Sequence, residues 1–335
     1  MGIVTERENI LKYYHHQKPD HMFDFGSLHI VHPARGFLER PLDDLGQTTD
    51  WFGVEYAYDD LFAVSLPDSR KEPILKDVTQ WREQVTFPDL DAIDWEEAAR
   101  KDHMDEIDRE NKVVEVLVQC GIYERMHSLM GMAPCMMALI EEPEASAEFL
   151  QALGEYKLKL FSYIIEYYKP DIIRQHDDWG TQISMQMSPA LWREMIKPIV
   201  KQAVDLCHSK GVIYEQHSCG LIEPIIPDFV EIGIDSWQGM MINDVKRLQG
   251  ITKGRLVYHM SLDLQKYLAA DYAGNLTEEI LRKEVREAVL PCAEDGTFFP
   301  ILATNGFDRS WWGTAVIFDE IDRCNKEVQI QWRYE

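Results

Sequence analysis

Short apolar, β-branched runs alternate with longer amphipathic stretches along most of the chain, and this alternation sets the expected architecture. Residues 113–119 (VVEVLVQ) read as a strand that ends at Cys120-Gly121. Residues 145–168 read as a long helix, with apolar positions at 149, 150, 153, 158, 161, 164 and 165. The run Asp171-Ile172-Ile173 stops at the polar cluster RQHDDWG, residues 174–180. Ser188-Pro189 then supplies an N-cap followed by a proline at the first helical position. The helix predicted over 189–209 lines up Leu191, Met195, Ile199, Val204 and Cys207 on one stripe, so Cys207 reads as core. Gly211 ends it, and the strand Val212-Ile213-Tyr214 runs into EQHSCG at 215–220. A proline-containing helix at 222–232, a strand at 234–237 and a helix near 243–249 follow. A strand at 255–258, a helix at 276–290, a strand at 298–303 and a helix over about 314–328 complete the pattern.

Strand and helix alternate at least five times through connections too long for hairpins, which requires a parallel sheet. Polar clusters stand where the strands finish, at 120–127, 174–180, 215–220, 259–263 and 303–309. A closed eight-stranded sheet gathers all such ends on one face, where active sites of that fold lie. The expected fold is therefore α/β, a (β/α)8 TIM-type barrel, with residues 1–335 forming a single domain. Residues 1–100, richer in Asp, Pro and aromatics, are expected to supply the early strands and an extension capping the C-terminal face.

Charge narrows the function. The chain has 335 residues, with 34 Lys+Arg against 58 Asp+Glu, a net charge of −24. Where basic residues gather, as at Arg70-Lys71-Glu72, acids sit among them, so nucleic acid is not an expected partner. A hydrophobic fraction of 45% is ample for a globular core and excludes a disordered chain. The opening MGIVTERENILKYYHHQKP is charged throughout, so no signal peptide is expected, and no window is long and apolar enough for a membrane helix. Six scattered cysteines lack the spacing of a disulfide framework; reduced thiols in a cytoplasmic enzyme are expected.

The sharpest chemical constellation is His217-Ser218-Cys219 at a strand end. Residues two apart on a strand share a face, so an imidazole nitrogen and a thiolate there can reach one metal ion, and the donor mix suits zinc. A buried histidine beside an inert cysteine is the alternative. Spacing leaves the third ligand open among Cys120, Glu124, His176, Asp178 and His259, while Cys292 precedes its strand and belongs at the far end of the barrel. The second constellation is His176-Asp177-Asp178-Trp179-Gly180, whose imidazole and paired carboxylates are candidates for acid–base work. Trp179 and Trp237 follow or lie near strand ends and are expected to wall a substrate pocket, with Met126, Glu124, His259 and Asn305 completing it.

The stretch HSCGLIEPIIPDFVEIGIDSW (217–237), with DDWGTQ (177–182), SPALWREMIKP (188–198) and RENILKYYHHQKPDHM (7–22), resembles the uroporphyrinogen decarboxylase superfamily. That resemblance implies a distorted β/α barrel and either decarboxylation or cobamide-dependent methyl transfer. The decarboxylases bind an octa-anionic porphyrinogen with arginines in an N-terminal R-Q-A-G-R segment, whereas this chain reads FDFGSLHIVHPARGF at 23–37. The methyltransferases that use coenzyme M hold zinc with an H-x-C pair and a later cysteine. This chain keeps His217 and Cys219 but reads ATNGFDRSWW at 303–312. The DDWGTQ and HSCG segments and the abundant aromatics look most like the methyltransferase components of anaerobic O-demethylases. The resemblance thus implies an aryl methyl ether as donor, a corrinoid (cobalamin) protein as partner, and zinc held by His217 and Cys219. A decarboxylase, or methyl transfer with a non-aromatic donor or a thiol acceptor, remains the alternative.

Overall fold

The computed structural model of the chain describes residues 4–302 and 310–334, apart from 24, 34, 38, 42–45, 47 and 60–63. Its elements in chain order begin with α1 (Glu6–Tyr14), β1 (Leu28–Val31), the hairpin strands β2 (Tyr56–Asp59) and β3 (Val64–Pro67), α2 (Trp81–Gln84) and α3 (Trp95–Lys101). The second part runs β4 (Val113–Val118), α4 (Ile122–Met130), α5 (Met132–Glu141), α6 (Pro143–Tyr163), β5 (Ile172–His176), α7 (Pro189–Met195) and α8 (Lys197–Ser209). The third runs β6 (Ile213–His217), α9 (Ile226–Ile232), β7 (Ser236–Met240), α10 (Val245–Thr252) and β8 (Val257–Ser261). Last come α11 (Leu264–Tyr272), α12 (Glu278–Ala293), β9 (Phe298–Ile301) and α13 (Trp312–Glu327).

Seven strands form one sheet in the order β1-β4-β5-β6-β7-β8-β9, every pair parallel. Sheet order that follows chain order, with a helix returning the chain between neighbours, is the winding of a TIM-type α/β barrel. Seven such strands, rather than eight, lie among the described residues. The strand expected over 298–303 ends at Ile301, and the cluster at 303–309 lies outside the described residues.

Boundaries shift for identifiable reasons. The helix expected over 189–209 is two helices, because Pro198 has no amide to continue α7 into α8. Strands β5 and β6 run on through Arg174-Gln175-His176 and Glu215-Gln216-His217, and β8 runs to Ser261. The polar clusters expected after the strands thus begin inside them, because the barrel interior is itself polar. The amino-terminal segment divides between the two ends of the barrel. The guanidinium of Arg7 on α1 donates to Asp171 Oδ1 at 2.7 Å, beside the start of β5, so α1 closes the end away from the strand C-termini. Residues Glu39 and Asp50 instead pair with Arg125 on α4, at the C-terminal side.

Candidate metal and active site at the barrel mouth

The parallel register stacks the inward-facing side chains in layers. Across β5 and β6, Arg174 pairs with Glu215 and His176 with His217. Across β6 and β7, Glu215 pairs with Ser236 and His217 with Gln238. Alternation sends these residues inward and sends Tyr214, Trp237 and Tyr258 outward. One layer therefore lies deep in the barrel and one at its mouth.

The mouth layer gathers His176, Asp178, His217 and Cys219. Candidate ligand atoms of His176, Asp178 and His217 all lie within 4.8 Å of one another. His217 Nε2 stands 3.3 Å from Asp178 Oδ1 and 3.3 Å from Cys219 Sγ. Each imidazole is held from behind through its other nitrogen. His176 Nδ1 is 2.9 Å from Glu124 Oε2, and His217 Nδ1 donates to Gln238 Oε1. With both Nδ1 atoms engaged, both Nε2 atoms are left for chemistry, the arrangement by which outer partners fix the tautomer of a metal-binding histidine. The two rings stack with centroids 4.0 Å apart.

Two loops are locked together to make this cluster. Asp178 follows β5 and Cys219 follows β6, and the Cys219 amide donates to Asp178 Oδ1 at 2.7 Å. Gly180 and Gly220 let the two backbones touch: a Cβ on Gly220, whose φ is +80°, would meet Gly180 backbone at 2.2 Å. Only glycine accepts both that conformation and that approach.

Charge at the mouth is uneven. Burial works to neutralise the His176 imidazolium, but the charges of Glu124 and Asp178 prevail and raise its pKa. Burial and the neighbouring His176 lower that of His217. Burial also opposes the Asp178 charge, yet His176 and His217 hold its carboxyl far below the ordinary range. Burial and the Asp178 charge push the Cys219 thiol well up, so a cation is needed to draw out its thiolate. His176, Asp178 and His217 thus form a group of ligand-type side chains close enough to hold a metal ion, with Cys219 beside His217.

The other expected site residues fall elsewhere. Asp177 turns away from the mouth and accepts the amides of Tyr123 and Glu124 at 3.2 and 2.8 Å, satisfying the α4 N-terminus. Burial and the Glu124 charge push its carboxyl up to about 7. By holding α4, Asp177 places Glu124, which in turn holds His176. Trp179 and Trp237 are fully buried outside the barrel wall, packed around Phe229 and Trp192, because alternation turns Trp237 away from its inward neighbours Ser236 and Gln238. Met126 is fully buried on α4, and Met132, Met136 and Met137 on α5 are exposed. Cys120 faces the Tyr56 hydroxyl at 3.8 Å rather than the cluster, and Cys292 is buried on α12. Asn305 lies outside the described residues.

His259 belongs to the deep layer. Its Nδ1 is 3.1 Å from Glu215 Oε1, while Glu215 Oε2 accepts from Ser236 Oγ at 2.6 Å and from the Tyr14 hydroxyl at 3.1 Å. Arg174 lies between Glu115, with which it pairs closely, and Glu215 at 3.7 Å. Of this layer sequence reasoning singled out His259 alone, and it missed Arg174, Glu115, Glu215 and, at the mouth, Gln238. Stepping two residues back from His176 and His217 along their strands, and one on from Trp237, reaches Arg174, Glu215 and Gln238.

Residues 113–258, from β4 into β8, match the family described as uroporphyrinogen decarboxylase (URO-D). No curated protein sequence matches the chain. Among solved structures, a methyltransferase from Methanosarcina mazei superposes with a TM-score of 0.67 over 96% of this chain and 99% of that one, at 12% identity. The similarity at that identity is one of fold. No helix among the described residues is long and apolar enough to cross a membrane. The family match spans the part of the chain that holds the motifs at 177–182 and 217–237.

Proposed function

We propose that the chain is a methyltransferase that moves the methyl group of an aryl methyl ether to the Co(I) centre of a corrinoid protein. The observation that carries this reading is the donor set of His217 and Cys219 at the barrel mouth, backed by Asp178 and flanked by His176. The resemblance of the HSCG and DDWGTQ segments to O-demethylase methyltransferases, and the fold shared with a methyltransferase, support it.

The chemistry requires an electrophile at the ether oxygen, because a phenolate leaves poorly unless its developing charge is stabilised. Zinc held by His217 and Cys219 would supply Lewis acidity there. His176 stands beside that position with its imidazolium favoured by Glu124 and Asp178, and it donates a proton to the departing oxygen. The C–O bond breaks with its electron pair kept by oxygen, cobalt contributes the pair of the new Co–C bond, and a phenol and a methylated corrinoid result. Asp177 and Gln238 touch neither reactant; they hold α4 and His217 in place.

The family match to uroporphyrinogen decarboxylase favours a second reading, decarboxylation of a porphyrinogen. Against it, the barrel's Arg174 is engaged by Glu115 and Glu215 and is not free to receive a carboxylate. Anaerobic incubation of the zinc-loaded protein with cob(I)alamin and guaiacol, veratrole, methanol or a methylamine, with uroporphyrinogen as a parallel substrate, separates the readings. Methylcobalamin formed from the aryl ethers is expected. Methylation from a non-aromatic donor alone refutes the ether, and loss of CO2 from uroporphyrinogen without methyl transfer replaces the reading altogether.

A further inference from the structure

We propose that Asp178 is the third protein ligand of the zinc site, with His217 and Cys219 the other two and the fourth position open towards His176. The inference rests on the reading of the mouth as a zinc site and supplies the ligand that the H-x-C spacing leaves missing. Zinc–nitrogen and zinc–oxygen bonds of about 2.0–2.1 Å and zinc–sulfur bonds of about 2.3 Å set tetrahedral donors roughly 3.3–3.6 Å apart. His217 Nε2 has that separation from both Asp178 Oδ1 and Cys219 Sγ, at 3.3 Å each. Two edges of a tetrahedral face are therefore already built.

The electron pairs make the same point. Gln238 Oε1 accepts the Nδ1 proton, so Nε2 of that tautomer carries a lone pair. It faces a carboxylate oxygen and a sulfur, and the single thiol proton can satisfy only one of these two contacts. A bound cation turns both contacts from acceptor–acceptor opposition into shared coordination. Among the described residues no lysine or arginine pairs with Asp178, whose one ion pair is with His217.

A competing role for Asp178 is purely local: it accepts the Cys219 amide and so shapes the loop after β6. Asparagine keeps a carbonyl oxygen for that amide while removing the anionic donor, which separates the two roles. Of the two histidines it is His217 whose Nε2 contacts both Asp178 and Cys219, whereas His176 stacks on the His217 ring with centroids 4.0 Å apart. It borders the open position without closing it.

The test is zinc affinity of the whole chain, stripped and reloaded, measured by competition with a chromophoric chelator, and the absorption spectrum of the Co2+-substituted protein. Wild type is expected to hold one zinc per chain and to give the intense bands of tetrahedral, thiolate-bound cobalt. Asp178→Asn and Asp178→Ala should each weaken zinc by at least about 100-fold. His176→Asn should stay within a few-fold of wild type with the same cobalt spectrum. Wild-type affinity in Asp178→Asn, or an equal loss in His176→Asn, overturns the assignment, and so does a wild-type chain that takes up no zinc. If instead zinc binds as described but no donor methylates cobalamin, the ligand set stands and the proposed reaction falls.

Discussion

The barrel carries two layers of histidine and carboxylate two residues apart on the same strands, and they are built for opposite ends. In the deep layer Glu215 and His259 are completely buried, and every part of Glu215 is met by a donor: His259, Ser236, Tyr14 and the nearby Arg174. At the mouth the side chains of His176 and Asp178 are 19% and 28% exposed, and no guanidinium among the described residues pairs with either. Both layers bring three potential metal ligands together. At the mouth the Arg40 guanidinium acts on Asp178 and Glu124 through its charge, with no ion pair to His176 or Asp178 among the described residues. In the deep layer a fixed guanidinium, Arg174, already stands between Glu115 and Glu215, so a metal there would have to displace it at a large desolvation cost. The lesson is that a cluster of ligand-type residues is a site only where its charges are left for something else to satisfy.

If the deep layer is a self-satisfied structural element, the largest effect should come from removing its cation. Arg174→Met leaves the buried Glu215 carboxylate without its guanidinium and should cost about 3–5 kcal/mol of stability in denaturant unfolding. The zinc affinity of the folded fraction should stay near wild type. Next comes the converse at the mouth. His217→Ala should lower methyl transfer by about 100- to 1,000-fold, with a midpoint of unfolding close to that of wild type. A His217→Ala protein that loses most of its stability but keeps its turnover would reverse the roles of the two layers.

The smallest effect, per pH unit, sharpens the deep layer alone. Burial, joined by the Glu215 charge and only partly opposed by Arg174, pushes the Glu115 carboxyl from an ordinary 4.5 up to about 8. Burial opposes the charge of Glu215 too, but His259, Arg174 and Ser236 prevail and hold that carboxyl down at about 2. A group that keeps its proton to higher pH in the fold than in the unfolded chain stabilises fully below its unfolded pKa. That contribution is lost as pH rises through its folded value. Glu115 should therefore make stability fall between pH 5 and 8, by at most about 1.4 kcal/mol per pH unit. Glu115→Gln should flatten that slope in unfolding experiments across the same range, while an unchanged slope would place the proton elsewhere.

How much of this was legible in the sequence differs between the layers. The alternation of β-branched runs and amphipathic helices gave the parallel winding, since period and connection length are local properties. The mouth was half legible: His217 and Cys219 share a strand face, a matter of spacing alone. That Asp178 and not Asp177 meets them depends on how the loop after β5 turns, which Gly180 and Gly220 decide through close backbone approach and Gly121 by leaving room for the Asp177 side chain. Trp179 and Trp237 were expected in the pocket because tryptophans near strand ends invite that reading. Strand alternation for Trp237, and the packing of α7 and α9 for Trp179, send both rings to the outer core instead. In the deep layer only His259 was named, and its partners Arg174 and Glu215 were passed over because charged residues inside a strand read as the end of that strand. That Arg174 and Glu215 stand side by side is legible only once the register of β5 and β6 is known.

The central claim is that methyl transfer takes place at the mouth and depends on a metal there. It is tested most directly by single-turnover methylation of cob(I)alamin from guaiacol, measured anaerobically with the zinc-loaded chain, the chelator-stripped chain and the stripped chain reloaded with zinc. Methylcobalamin formation with the loaded protein, lost on stripping and restored by zinc, is the predicted result. Equal rates with the loaded and stripped protein would contradict it.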